Sequence, residues 1–214
     1  MPPARKTDEQ RRESVLKAAR KVFESKGLEG ASMRMIASAA RCTTGSIYPY
    51  FKGKEEIYAE LLSRSLEAYR ERLMADVQKA GTPAERFAAV MFGHFDHYES
   101  RPGDMALALY LFNGLKPQSL TKELDARLNH QLDSILDIFR QSVRELAGCT
   151  DDESESEVGL HYSVLFGLLI LYHTRRTRVL RVDTRRVLEA HVRDTVERLA
   201  QHAPKPAGGR RRAA

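Results

Sequence analysis

An all-α fold of about nine helices follows from three features of this 214-residue chain. Apolar residues recur at three- and four-residue spacing along nearly the whole length. Ser, Thr and Asp starts and Gly or Pro stops punctuate that pattern, and no stretch shows strand alternation bounded by turns. Hydrophobic content of 42% with 30% charged residues suits one large domain, or a small one joined to a medium one.

From Asp8 to Lys26, the residues Val15, Leu16, Ala19, Val22 and Phe23 form the apolar stripe of a first helix that Gly27 stops, with Leu28 folding back on Phe23. Ser32 caps a short second helix, MRMIASAA. A third short helix lies in TTGSIYPYF, capped by the Thr43 side chain, and FKGKEEIYAELL then enters a long helix over about 54–79. Thr82-Pro83-Ala84-Glu85 joins a capping box to a proline at the first helical position and starts the fifth helix. Pro102-Gly103 and Pro117 bound the sixth. The proline-free span after Gln118 holds three longer helices, roughly 118–147, 153–176 and 183–202. APKPAGGRRRAA, residues 203–214, reads as a disordered basic tail.

Charge separates the ends from the middle. Residues 1–55 carry 12 Lys+Arg against 6 Asp+Glu, residues 56–200 carry 19 against 23, and residues 201–214 carry 4 against none. A basic N-terminal module on a mildly acidic body points to a polyanion met by one end of the molecule, or to a solubilising surface. Cys42 and Cys149 form neither a CxxC pair nor a disulfide framework, which fits a reducing cytoplasm. The most apolar stretch, Val164 to Tyr172, is far shorter than the roughly 20 residues a membrane span needs, so no membrane partner is expected.

Residues 33–51 have the layout of a helix-turn-helix. In its second helix Ile47 and Phe51 form an inward stripe, leaving Thr43, Thr44, Ser46, Tyr48 and Tyr50 for outward display. Hydroxyls at a helix start approach base edges, tyrosines behind them bond phosphate oxygens, and Lys52 and Lys54 add charge. The pattern Ser32-x-Arg34-x-Ile36-Ala37-x-x-Ala40, then Thr43-x-Gly45-x-x-Tyr48-x-Tyr50-Phe51-x-x-Lys54-Glu55, resembles the DNA-binding signature of TetR-family transcriptional regulators over roughly residues 10–60. The resemblance adds Ser32 and Arg34 to the DNA-binding set. It implies a DNA-binding domain at 8–53, a ligand-binding and dimerisation domain at 54–202, and a homodimer joined by the last two long helices. Double-stranded operator DNA and a small-molecule effector are the implied partners, and no cofactor is implied. Two positions depart from the family pattern. Arg41 stands where a turn glycine is usual, requiring either a reshaped turn or a tolerated positive φ, and Pro49 interrupts the proposed recognition helix.

An effector cavity among the central helices would be walled by Phe92, His94, Phe95, Tyr110, Asn113, Tyr162 and Phe166. His94 and His97, three apart, read as core histidines before metal ligands, because no third group converges on them in the sequence. The acidic run from Asp151 to Glu157 reads as a solvated helix start, and the six arginines from Arg175 to Arg186 as a solvated hinge. No Gly-rich phosphate loop, GxSxG or HExxH occurs, so enzymatic activity is not expected. The expected function is a ligand-responsive regulator, a repressor released from a pseudo-palindromic operator. The alternatives are a helical ligand-binding or adaptor protein without sequence-specific DNA binding, and a helical enzyme using the central cavity.

Overall fold

Thr7 opens the first helix with a reciprocal cap: its Oγ1 accepts the Gln10 N–H at 3.2 Å and its own N–H donates to Gln10 Oε1 at 3.0 Å. The structure, a computed structural model, describes residues 7–112 and 120–202. Helix α1 (Asp8–Gly30) is interrupted at Gly27, whose φ of 67° and ψ of 173° break helical geometry where a stop was predicted. Leu28 and Phe23 are both buried beside the break. Helix α2 (Met33–Ala40) starts at Ser32, whose Oγ accepts the Met35 N–H at 3.3 Å. It ends in a Schellman closure, with Arg41 N–H donating to Ser38 O and Cys42 N–H to Ala37 O.

The segment predicted as a third α-helix forms instead a 3-10 turn, Thr44–Ser46, followed by further turns to residue 50. Pro49 is the cause. The Tyr48 N–H reaches Thr44 O in α-helical register, but Pro49 has no N–H to offer Gly45, and the next donor, Tyr50 N–H, falls back to Ile47 O. Thr43 precedes the turn without a side-chain cap, another correction: its Oγ1 pairs with Ser46 Oγ at 3.2 Å instead.

The long helices then follow in order: α3 (Lys54–Gln78), α4 (Pro83–Glu99), α5 (Pro102–Phe112), α6 (Lys122–Ala147), α7 (Asp151–His173), α8 (Thr177–Leu180) and α9 (Thr184–His202). The Thr82–Glu85 box caps α4 as expected, and a Thr150–Glu153 box that the sequence pattern did not single out caps α7. Among the described residues there are nine α-helices, the predicted number, but the membership differs. The recognition segment drops out and α8 enters, held between left-handed Arg175 and Arg181. Residues 203–214, predicted to be a tail, lie outside the described residues, as do Asn113 and the side chain of Tyr110.

The described chain packs as two compact units, and α3 and α6 each run from one into the other. The first comprises the described residues up to Tyr69 and Arg101–Leu132. It contains the whole predicted DNA-binding segment 8–53 and adds the start of α3, α5 and the start of α6 to it. Its core joins Leu16, Ala19 and Phe23 of α1 to Ile36, Ile47, Phe51, Ile57 and Leu62. The second unit comprises Arg70–Ser100 and the described residues from Asp133 onward. There α4, α7 and α9 pack on one another around Phe87, Met91, Phe95, Leu165, Leu169 and Leu188.

Candidate nucleic-acid interface and effector wall

In the first unit the recognition turn stands on two buried anchors. Ile47 and Phe51 are 0% and 3% exposed, while Tyr48 between them is 54% exposed and Thr43 and Ser46 are open to solvent. Thr44 is half-buried. A turn so anchored presents its hydroxyls and phenol from a fixed base, because moving it would expose both anchors, each a side chain worth about 1.5–3 kcal/mol of burial. The Arg12 guanidinium lies 5.3 Å above the Phe51 ring and pairs with Glu60 at 3.1 Å, so this cation braces α1 against α3 behind the turn.

The remaining predicted DNA-binding residues divide. Arg34 and Lys52 are exposed and have no acidic partner among the described residues. Ser32 is exposed, with its hydroxyl engaged as the α2 cap. Tyr50 is half-buried and its phenol donates to Asp8 Oδ1 at 2.9 Å, a bond that raises the phenol above its usual range. The Lys54 ammonium donates to Leu28 O at 2.9 Å and Ala31 O at 3.1 Å, and reaches Glu29 O at 3.4 Å. It binds the carbonyls at the end of α1, sharing that of Leu28 with the Ala31 N–H. Two further cations lie outside the predicted set. Arg11 and Arg41 border a hollow of about 280 Å³ with Ser14, Ala40, Cys42 and Ser46. The only sequence signal was the missing turn glycine, and Arg41 adopts the left-handed conformation outright, at φ 55° and ψ 45°.

In the second unit, His94 of α4 lies 5.4 Å from the Tyr162 ring, 5.6 Å from Phe139 and 5.0 Å from Tyr98, and Tyr162 is 5.4 Å from Phe166. Three predicted wall residues, His94, Tyr162 and Phe166, are thus together, joined by Phe139 and Tyr98, which were not predicted. Phe92 and Phe95 are elsewhere. Phe92 lies under the Arg185 guanidinium at 4.7 Å, and Phe95 meets Tyr172 at 6.4 Å. Helix geometry separates them, since residues one or two positions apart point in different directions. Burial drives the His94 imidazole down to about 3 and the Tyr162 phenol up to about 12, so both are neutral at pH 7. His161, wholly buried, faces His191 at 2.9 Å and Glu157 at 3.2 Å, and burial lowers it to about 4. Glu157 is bound by Arg198 through two 2.7 Å bonds, and Asp151 and Glu155 pair with Arg144 and Arg140 at 2.6 and 2.7 Å, so the acidic run, read in sequence as solvated, is paired at its start, middle and end. Among the described residues no group of three or more His, Cys, Asp or Glu is arranged to hold a metal ion. No described helix is long and apolar enough to cross a membrane.

The family model for bacterial regulatory proteins of the tetR family matches residues 15–61, the stretch that builds the anchored turn and its support. That stretch is a tetR-family DNA-binding segment. Among the chain's relatives is the fatty acid metabolism regulator protein of Bacillus subtilis, 28% identical over 155 residues, which are 72% of this chain and 77% of that protein. Among solved structures, the FadR transcriptional regulator of Bacillus subtilis in complex with stearoyl-CoA superposes with a TM-score of 0.64 at 22% identity, covering 90% of this chain and 99% of that one. AibR in complex with isovaleryl coenzyme A and operator DNA does so with a TM-score of 0.67 at 19% identity, covering 85% and 96%. These likenesses extend the TetR-type fold beyond the matched N-terminal stretch to nearly the whole chain.

Proposed function

We propose that this TetR-family chain is a ligand-responsive transcriptional repressor that binds a pseudo-palindromic operator as a homodimer and is released by a coenzyme A thioester. The observation that carries the DNA-binding half is the anchored turn: Ile47 and Phe51 buried, with Ser46 and Tyr48 exposed between and beside them. Small hydroxyls at its start suit base edges in the major groove, and Tyr48 suits a phosphate oxygen. The dimer uses α7 and α9. Leu160, Ile170 and Val187 are exposed there, and Gly159 and Gly167 leave open space above their backbones, which favours close approach by a second copy. Two turns about 34–36 Å apart would then meet successive major grooves.

The thioester class rests on the stearoyl-CoA and isovaleryl coenzyme A bound by the two structural relatives. In this chain the aromatic cluster of His94, Tyr162 and Phe166 is the proposed wall for the acyl group, with neutral polar tips at His94 and Tyr162. A thioester that prefers the wrongly spaced dimer weakens DNA binding by its preference between the two states and no more. The test is a mobility-shift assay on DNA from immediately upstream of the chain's own coding sequence, with and without a series of acyl-CoAs. A shift relieved by an acyl-CoA but not by free coenzyme A is expected. A folded dimer that shifts no duplex at low salt would make the chain a helical ligand-binding or adaptor protein instead.

A further inference from the structure

We propose that Arg11 and Arg41 together clasp one backbone phosphate of the bound DNA beside each recognition turn. This rests on the DNA-binding reading above and assigns residues outside the set predicted for it. The hollow they border has a volume of about 280 Å³ and is lined by Arg11 and Ser14 of α1, Ala40, Arg41 and Cys42 at the end of α2, and Ser46 of the recognition turn. Ser46 belongs to both the hollow and the reading surface, so an anion held there lies at the flank of the groove being read. Two arginines from different elements line one hollow together with two serines, residue types whose donors phosphate oxygens select. Each hydroxyl holds a local bond, Ser14 Oγ to Gln10 O and Ser46 Oγ to Thr43 O, and each proton can turn toward an incoming oxygen.

Two further observations single out the clasp. Arg41 is exposed, has no acidic partner among the described residues, and occupies a left-handed backbone position that glycine fills without strain. Arg11 has a long pair to Asp8, at 3.7 Å, and also interacts with the Tyr50 phenol, which itself donates to Asp8 at 2.9 Å. The carboxylate is thus shared, and the guanidinium can turn to a stronger anion.

The experiment uses the full chain, a labelled duplex from its own upstream region and a mixed-sequence duplex of equal length. It compares the wild type with R11Q, R41G and the double variant. Each neutralised phosphate contributes a slope of about 0.9 to log K against log salt, so one lost contact per half-site costs about eightfold at 0.1 M salt. The double variant should lose that slope and that affinity per half-site on both duplexes, with each single variant losing part of it. A neutral methylphosphonate walked along the duplex backbone should reveal one position per half-site that weakens the wild type about eightfold and leaves the double variant unaffected. Unchanged binding in the double variant, a slope loss of two phosphates per half-site, or no such position would overturn the clasp. A wild type that binds with a steep salt slope while the double variant matches it overturns the clasp alone. A wild type that binds no DNA overturns the repressor reading and the clasp with it. Replacing chloride by inorganic phosphate at constant ionic strength should change the affinity by less than about twofold. Strong competition at millimolar phosphate, abolished in R41G, would make the hollow a site for free phosphate and overturn the assignment to DNA.

Discussion

Arg41 is the residue at which local preference and tertiary context disagree most openly. A non-glycine residue at φ 55° costs about 1–2 kcal/mol, and a glycine substituted there adds freedom to the unfolded chain worth about 0.4–1 kcal/mol. Arg41→Gly should therefore raise stability by up to about 1.6 kcal/mol, read as a higher urea midpoint at unchanged m. Within the recognition turn, Tyr48→Phe should weaken binding to all duplexes alike, while Thr44→Ala should change the ranking among operator variants; equal losses for both on every sequence would refute that division. His94 and His161 give a pH prediction. Their folded values, about 3 and about 4, lie below the ordinary 6.5, so the unfolded chain binds more protons in between and stability falls as pH drops through 6.5. The slope approaches about 1.4 kcal/mol per pH unit for each histidine. H94Q should flatten the fall measured by thermal denaturation between pH 7 and pH 5.

At the scale of elements, the end of α1 and Lys54 belong together. The Leu28 carbonyl accepts the Ala31 N–H in the closing turn of α1, and the ammonium at the start of α3 binds both it and the Ala31 carbonyl. Lys54→Met should cost about 2 kcal/mol, the range for bonds to a charged donor, and should lower the thermal midpoint; an unchanged midpoint would return Lys54 to the surface cations available to DNA. The recognition element was legible in sequence as an inward pair, Ile47 and Phe51, with an outward set around it, because that spacing survives in any helical turn. Its conformation was not. Whether a chain with proline at position 49 bends, ends or tightens depends on which carbonyl the next free N–H can reach, and here it is Ile47 O, three residues back.

For the whole molecule, the charge separation in sequence translates only in part into an anion-binding surface. Arg12, Arg20 and Arg64 are bound to Glu60, Asp104 and Glu13 within the first unit, whereas Arg34, Arg41 and Lys52 face outward. The DNA affinity of the proposed dimer should fall steeply with salt, and a salt-independent affinity would contradict phosphate contacts altogether. Leu160→Glu, at an exposed apolar position on α7, should convert the dimer to a folded monomer in sedimentation and abolish binding to a two-half-site duplex. A dimer that survives would place the interface elsewhere.

Placement of the eight predicted helices other than the recognition segment, the caps at Ser32 and Thr82, the stop at Gly27 and the TetR-type N-terminal segment were determined by the sequence alone, because each depends on residues within one or two turns of one another. Tertiary structure alone decided which cations remain outward, that Lys54 binds the carbonyls at the end of α1, that His94 meets Tyr162 and Phe139 while Phe92 turns to Arg185, and that Arg11 and Arg41 border one hollow. Those outcomes depend on partners distant along the chain, whose approach is set by how the helices pack, and no local spacing encodes it.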